Sequence, residues 1–123
     1  MNQLKIGTRE NRKEFQPGEE LEGAAGWELE RRPESVEVRL IWFTRGKGTE
    51  DVGLVETVRF DLPQAAEARP FRLRLPEQPY SFSGKLISLI WALELVALPG
   101  KQSARFEFVM APGGKEVRLP AQA

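Results

Sequence analysis

Arg45-Gly46-Lys47-Gly48 is the stretch of this sequence that most invites a chemical reading, because glycines beside cations are how loops cradle phosphate. Its spacing is not GxxxxGK[ST], and no helix-forming stretch follows it, so it has neither the backbone cradle nor the helix dipole of a P-loop. Glu50 and Asp51 cancel its charge, and the loop reads as a solvated hairpin connection. Glu19, Glu20 and Glu22 are a second candidate, since carboxylates ligate Ca²⁺. In a strand Glu20 and Glu22 share a face, but the nearby sequence supplies no further oxygens to complete a coordination shell, so they read as a wet strand face. Paired carboxylates also carry out glycoside hydrolysis. With 18 acidic residues in the chain, such pairs arise anywhere and identify nothing by themselves. Trp27, Trp42 and Trp91 are the candidates for a sugar-stacking platform, yet each falls on the more apolar face of its segment and reads as core. Arg9, Arg12, Lys13, Arg31 and Arg32 are diluted by Glu10, Glu14, Glu28 and Glu30, which gives a mixed surface rather than an anion-binding one.

The missing residue types narrow the chemistry further. The chain has no Cys and no His. There is therefore no disulfide framework, thiolate nucleophile, zinc-thiolate site, imidazole base or Ser-His-Asp triad. Any catalysis would rest on carboxylates, Lys, hydroxyls and the single Tyr, Tyr80. We expect no catalytic residue, cofactor or metal. Eighteen basic and 18 acidic side chains leave no net charge, which argues against nucleic-acid binding by bulk electrostatics. The longest apolar run, Leu86–Leu98, contains Glu94 and is too short and too polar to span a membrane. Met1 to Phe15 contains no apolar signal-peptide core, so a cytoplasmic location is expected.

The elements that position these residues are short and punctuated. The 123 residues suit one domain over 1–123, able to bury about two-thirds of the surface of the unfolded chain. Nine Pro and 11 Gly fall between segments that alternate apolar and polar residues, the period of a strand. Leu4–Thr8 is the first such segment. Phe15-Gln16-Pro17-Gly18-Glu19 reads as a turn, and Glu20–Leu29 as a strand. Val36–Thr44 places Val36, Val38, Leu40 and Trp42 on one face and Glu37, Arg39, Ile41 and Phe43 on the other. Val52, Leu54, Val58, Phe60 and Leu62 alternate on a further strand that Glu56 interrupts, where a bulge or a sheet edge is expected. Gln64–Glu67 has room for one helical turn, and Phe71–Leu75 is a short strand. Pro76–Gly84 is an irregular crossing in which Tyr80 is expected to tie the loop as a tyrosine corner does. Lys85–Leu98 fits either a helix or a strand by periodicity; its strand-rich surroundings and the Pro99-Gly100 terminator favour a strand. Ala104–Met110 and Lys115–Leu119 are expected to pair as a hairpin across Pro112-Gly113-Gly114. About eight strands at regular spacing give an all-β fold, a two-sheet antiparallel immunoglobulin-like sandwich with one buried and one wet face per sheet.

Three segments in order resemble a half-arrestin domain. Phe15-Gln16-Pro17-Gly18-Glu19-Glu20-Leu21-Glu22-Gly23 is similar to the Pro-Gly-Glu entry into the second strand of arrestin-like domains. Val36–Phe43 matches a central strand of that family. Phe71-Arg72-Leu73-Arg74-Leu75-Pro76, Pro79-Tyr80-Ser81-Phe82-Ser83-Gly84 and Lys85–Leu95 match its later run. The resemblance covers roughly Phe15 to Met110 and implies an arrestin-like sandwich that works by protein–protein contact. Arrestins have two such domains and this chain has length for one; no functional residue carries over. The expected function is a non-catalytic interaction or scaffold module whose protein partner docks by an edge strand or surface contact. The alternative is a carbohydrate- or small-ligand-binding module using exposed aromatics.

Overall fold

The computed structural model describes residues 2–46, 48, 50–100 and 102–118. Its strands are β1 (Gln3–Thr8), β2 (Glu14–Phe15), β3 (Glu20–Glu28), β4 (Ser35–Gly46), β5 (Val52–Phe60), β6 (Ala66–Arg74), β7 (Phe82–Ser83), β8 (Ile87–Leu98), β9 (Gln102–Met110) and β10 (Val117–Arg118). They form two facing sheets. The smaller has the order β1-β3-β6 and is antiparallel throughout. The larger runs β10-β7-β8-β4-β5, with β9 continuing beyond β7 along the same side of β8 and β2 beside β9. The ambiguous segment Lys85–Leu98 is thus a strand from Ile87 on, and the fold is an all-β sandwich of two sheets.

Alternation builds the core. Val36, Val38 and Leu40 of β4 lie beside Ala97, Leu95 and Leu93 of β8, all on the face that meets the small sheet. Leu21, Trp27, Phe71 and Leu73 enter from that sheet. Trp91 is fully buried; its ring lies 6.4 Å from that of Phe108, and its indole N–H donates to the Pro79 carbonyl at 2.8 Å. Burying the polar end of a large side chain is tolerable only with such a partner. The turn into β3 is the expected one: Glu19 N–H donates to the Gln16 carbonyl across Pro17 and Gly18. Gly18 holds φ at +76°, open to glycine without a Cβ penalty.

Four expectations change. Gln64–Glu67 forms no helical turn: the segment is a crossing between sheets that leads into β6 at Ala66. Trp27 Nε1–H donates to the Gln64 carbonyl at 2.8 Å and the Gln64 N–H donates to Glu67 Oε1 at 2.7 Å, so side chains satisfy the backbone in place of helical bonds. The final hairpin is also absent: β10 pairs in parallel with β7 instead of β9, and Leu119 lies outside the described residues. Ser81 causes this. Its N–H and carbonyl bond Met110 and Val117, and its Oγ accepts from Met110 N–H at 2.9 Å, so it occupies the place a hairpin partner would take. Tyr80, beside it, is 40% exposed and forms no corner; Ser81 and Trp91 fasten the crossing instead. Finally, the large sheet has no uniformly wet outer face, because Ile41, Phe43 and Ala92 are buried there.

The parity of β5 is the remaining difference. Leu40 pairs with Glu56 and Ile41 with Leu54, leaving Val55 as the extra residue of a bulge. The bulge falls where Glu56 led us to expect one, on a strand that is also a sheet edge. It reverses facing: Val58 and Phe60 pack inward, while Val52 and Leu54 pair with Phe43 and Ile41 on the outer face. Gly53 consequently faces inward, under the Trp42 indole, and a Cβ there would come within 2.2 Å of that ring. Gly53→Ala is therefore expected to cost about 1–3 kcal/mol through overpacking, and Trp91→Ala about 3–5 kcal/mol through its cavity. Thermal or urea unfolding measures both. A Gly53→Ala variant as stable as the parent would mean that Trp42 does not lie over this strand.

Candidate functional site

The positions singled out from sequence are mostly consumed by the fold. Trp27 and Trp91 are buried, and Trp42 is half-buried against the core. Glu22 pairs with Arg9 at 3.0 Å and with Arg72 at 3.2 Å; Arg72 also reaches Glu20 at 3.5 Å, and Arg12 pairs with Glu19. Glu22 sits opposite Arg72 across the β3–β6 pair, while Arg9 and Arg12 reach Glu22 and Glu19 from the turn that follows β1. Arg32 donates to the Pro63 carbonyl at 2.9 Å. Arg9 and Arg12 are thus paired, with Glu22 and Glu19 rather than with the Glu10, Glu14, Glu28 and Glu30 that stand near them in sequence. A shallow groove of about 650 Å³ on the small sheet, lined by Thr8, Ala24, Pro70 and the Arg9–Glu22–Arg72 set, has its charges already joined to one another. Of the loop Arg45-Gly46-Lys47-Gly48, Lys47 lies outside the described residues, and Arg45 is bound to Glu107 at 2.9 Å.

The outer face of the large sheet is different. Cross-strand pairing sets Val52 beside Phe43 beside Ile90, and Leu54 beside Ile41 beside Ala92. The inner members are covered: the guanidinium groups of Arg105 and Arg45 lie 4.8 and 5.4 Å from the Phe43 ring centroid. The members on β5 are not covered. Val52 is 66% exposed and Leu54 60%, with Val55 beside them at 42%. Among the described residues nothing pairs with the open side of β5, a nine-residue strand. Of the other edges, β10 has two residues and β6 carries Pro70, which has no N–H to offer an added strand; β1 and the part of β9 that β2 leaves unpaired run close to each other at the margin between the sheets. Sequence reasoning offered a bulge or an edge at Glu56, but placed Val52 and Leu54 on the same face as Val58. The available signal was Gly53, whose lack of a side chain leaves room for Trp42 only if it faces inward.

Glu37 anchors the opposite end of this face. It is 4% exposed and accepts from two arginines, one on each oxygen. Arg39 Nη2–H donates to Oε1 at 2.7 Å, and Arg59 Nη2–H to Oε2 at 2.9 Å, each backed by a second bond from Nε. The Arg39 guanidinium holds the Glu37 carboxyl below the usual glutamate range, against the burial that pushes it up, and Arg59 adds to the lowering. Arg59 belongs to β5, so this pair fixes the edge strand to β4.

No protein-family model and no curated protein matches the sequence. Solved structures do match the fold. Spo0M, a sporulation control protein from Bacillus subtilis, superposes with a TM-score of 0.63 at 16% identity, over 89% of this chain and 49% of that one. The chain thus spans about half the length of Spo0M. A mutant β-glucosidase from Listeria innocua in complex with laminaribiose matches with a TM-score of 0.51 at 15% identity, over 95% of this chain and 16% of the enzyme. At these identities the likeness is one of fold, the arrestin-like sandwich expected from the three ordered segments that begin with the Pro-Gly-Glu entry.

The Glu37 geometry sets a pH dependence. A depressed folded-state value makes its contribution full above the unfolded glutamate value of about 4.3, and lost as pH falls through the folded value. Glu37→Gln should cost about 1–2 kcal/mol at neutral pH, because the arginines it releases remain in water. The gap from the parent should narrow as pH falls below about 4. Glu19 and Glu67, held low by Arg12 and Arg69, give both proteins a common acid loss. Melting temperatures from pH 7 to 2 measure this; a gap that stays constant would contradict the assignment.

Proposed function

We propose that this chain is a non-catalytic interaction module, one arrestin-like domain that docks a protein partner along β5 and the adjoining outer face of the large sheet. The observation that supports this reading most strongly is the exposure of Val52, Leu54 and Val55 on the open strand. An edge strand offers unpaired backbone groups to an added segment, and apolar side chains beside it supply burial. The inventory of residues supports a non-catalytic role, since His and Cys are absent and the carboxylates lowered from their usual range are bound to arginines. A chain free of Cys suits a cytoplasmic setting. The carbohydrate reading needs a line of exposed aromatics, and among the described residues Tyr80 is the single large aromatic side chain in the exposed class.

Site-specific photo-crosslinking tests this directly. A photoreactive residue at Leu54 should trap a discrete protein partner from the source cell, and the same group at Glu116, near β10, should not. Leu54→Asp should abolish the adduct formed from a probe at Val52 while leaving the stability within about 0.5 kcal/mol of the parent, as for an exposed position. Equal crosslinking from both probes would remove β5 as the docking edge.

A further inference from the structure

The charges along β5 identify the kind of segment that fits. Glu50, Asp51 and Glu56 are exposed, and among the described residues none of their carboxylates makes an ion pair or a hydrogen bond. Arg59, the single cation of the strand, is occupied by Glu37. Glu56 has a particular position: it pairs with Leu40, and so lies on the core-facing side of the sheet, at its open margin. A carboxylate there penalises any strand laid alongside, because the addition strips water from an unpaired charge. The penalty is lifted for a segment that brings its own cation to Glu56. A second copy of this chain does the reverse, placing another Glu50, Asp51 and Glu56 on the same edge.

We propose that β5 takes an extended segment of a partner protein that alternates apolar side chains with Lys or Arg, and that Glu56 selects for the basic charge. This rests on β5 being the docking edge. The apolar side chains lie against Val52 and Leu54, and the backbone pairs with the strand. The bulge at Val55 bends β5, so regular pairing runs along Val52–Leu54 and the cation reaches Glu56 across the bend. The bulge and the carboxylate together exclude indiscriminate strand addition and admit one charge class.

The test uses two short fluorescein-labelled peptides, one alternating Val with Lys and the other Val with Glu, titrated into the full chain at low salt with anisotropy as readout. Amide chemical-shift mapping locates the site. The Lys peptide should bind at least about tenfold tighter than the Glu peptide, shift the amides of Val52–Thr57, and weaken as salt rises. Glu56→Gln, exposed and close in shape, should remove most of that preference. Equal affinities, shifts mapping away from β5, an unchanged preference in Glu56→Gln, no binding of either peptide below about 1 mM, or self-association of the free protein through β5 would each overturn the inference. Leu54→Asp separates it from the docking-edge reading on which it rests. Binding lost in Leu54→Asp but without charge preference removes this inference alone, whereas binding indifferent to Leu54→Asp removes the docking edge as well.

Discussion

Val55 is the residue around which the functional surface turns. A strand has a side-chain period of two, so one extra residue reverses the facing of everything on one side of it. On the far side of Val55, Val58 and Phe60 pack into the sandwich; on the near side, Val52 and Leu54 stand on the outer face, and Gly53 makes room for Trp42. Without the bulge, the same residues would form one continuous core-facing row and the outer face would lose its apolar margin. The exposed patch is thus a consequence of backbone register.

The rest of the sandwich makes that register stable. The long antiparallel pair β4–β8 fixes the positions of Ile41 and Phe43, against which Leu54 and Val52 are placed. Glu37 clamps the distal half of β5 by gripping Arg59 while Arg39 holds its other oxygen. Among the described residues the proximal half has no ion pair: Asp51, just before it, exchanges hydrogen bonds with Thr44 of β4, and the side chains of Val52 and Leu54 gain their neighbours on the outer face. One strand therefore combines an anchored half, which maintains the fold, with an open half, which is available for contact. The small sheet contributes to the fold through cross-strand charge pairs such as Arg72–Glu22, which are already joined to one another.

Much of this architecture was legible in the residues. Alternation located the long strands in whole or in part: only the Phe71–Arg74 half of β6 was legible, and Ile87–Leu98, whose periodicity fits a helix as well, was decided by its strand-rich surroundings and the Pro99-Gly100 terminator. The Pro17-Gly18 turn was visible in its own residues. Long-range satisfaction was not visible. Ser81 diverts the last strand from β9 to β7 through bonds to Met110 and Val117, residues 29 and more positions away, which no local pattern encodes. The charge Glu56 marked the irregularity in β5, yet a charge on an apolar row reads equally as an edge or as a bulge, and only the second reverses facing. The candidate surface was missed for that reason.

The central claim is the reversed facing of β5, and the absence of native Cys makes it directly measurable. Single cysteines placed in turn at Val52, Gly53, Leu54, Thr57, Val58 and Phe60 of the folded protein report solvent access through their rate of reaction with a thiol reagent. The account predicts fast labelling at Val52, Leu54 and Thr57, and strong protection at Val58 and Phe60. Protection at Val52 and Leu54 equal to that at Val58 would place all of them on one face, and would contradict it.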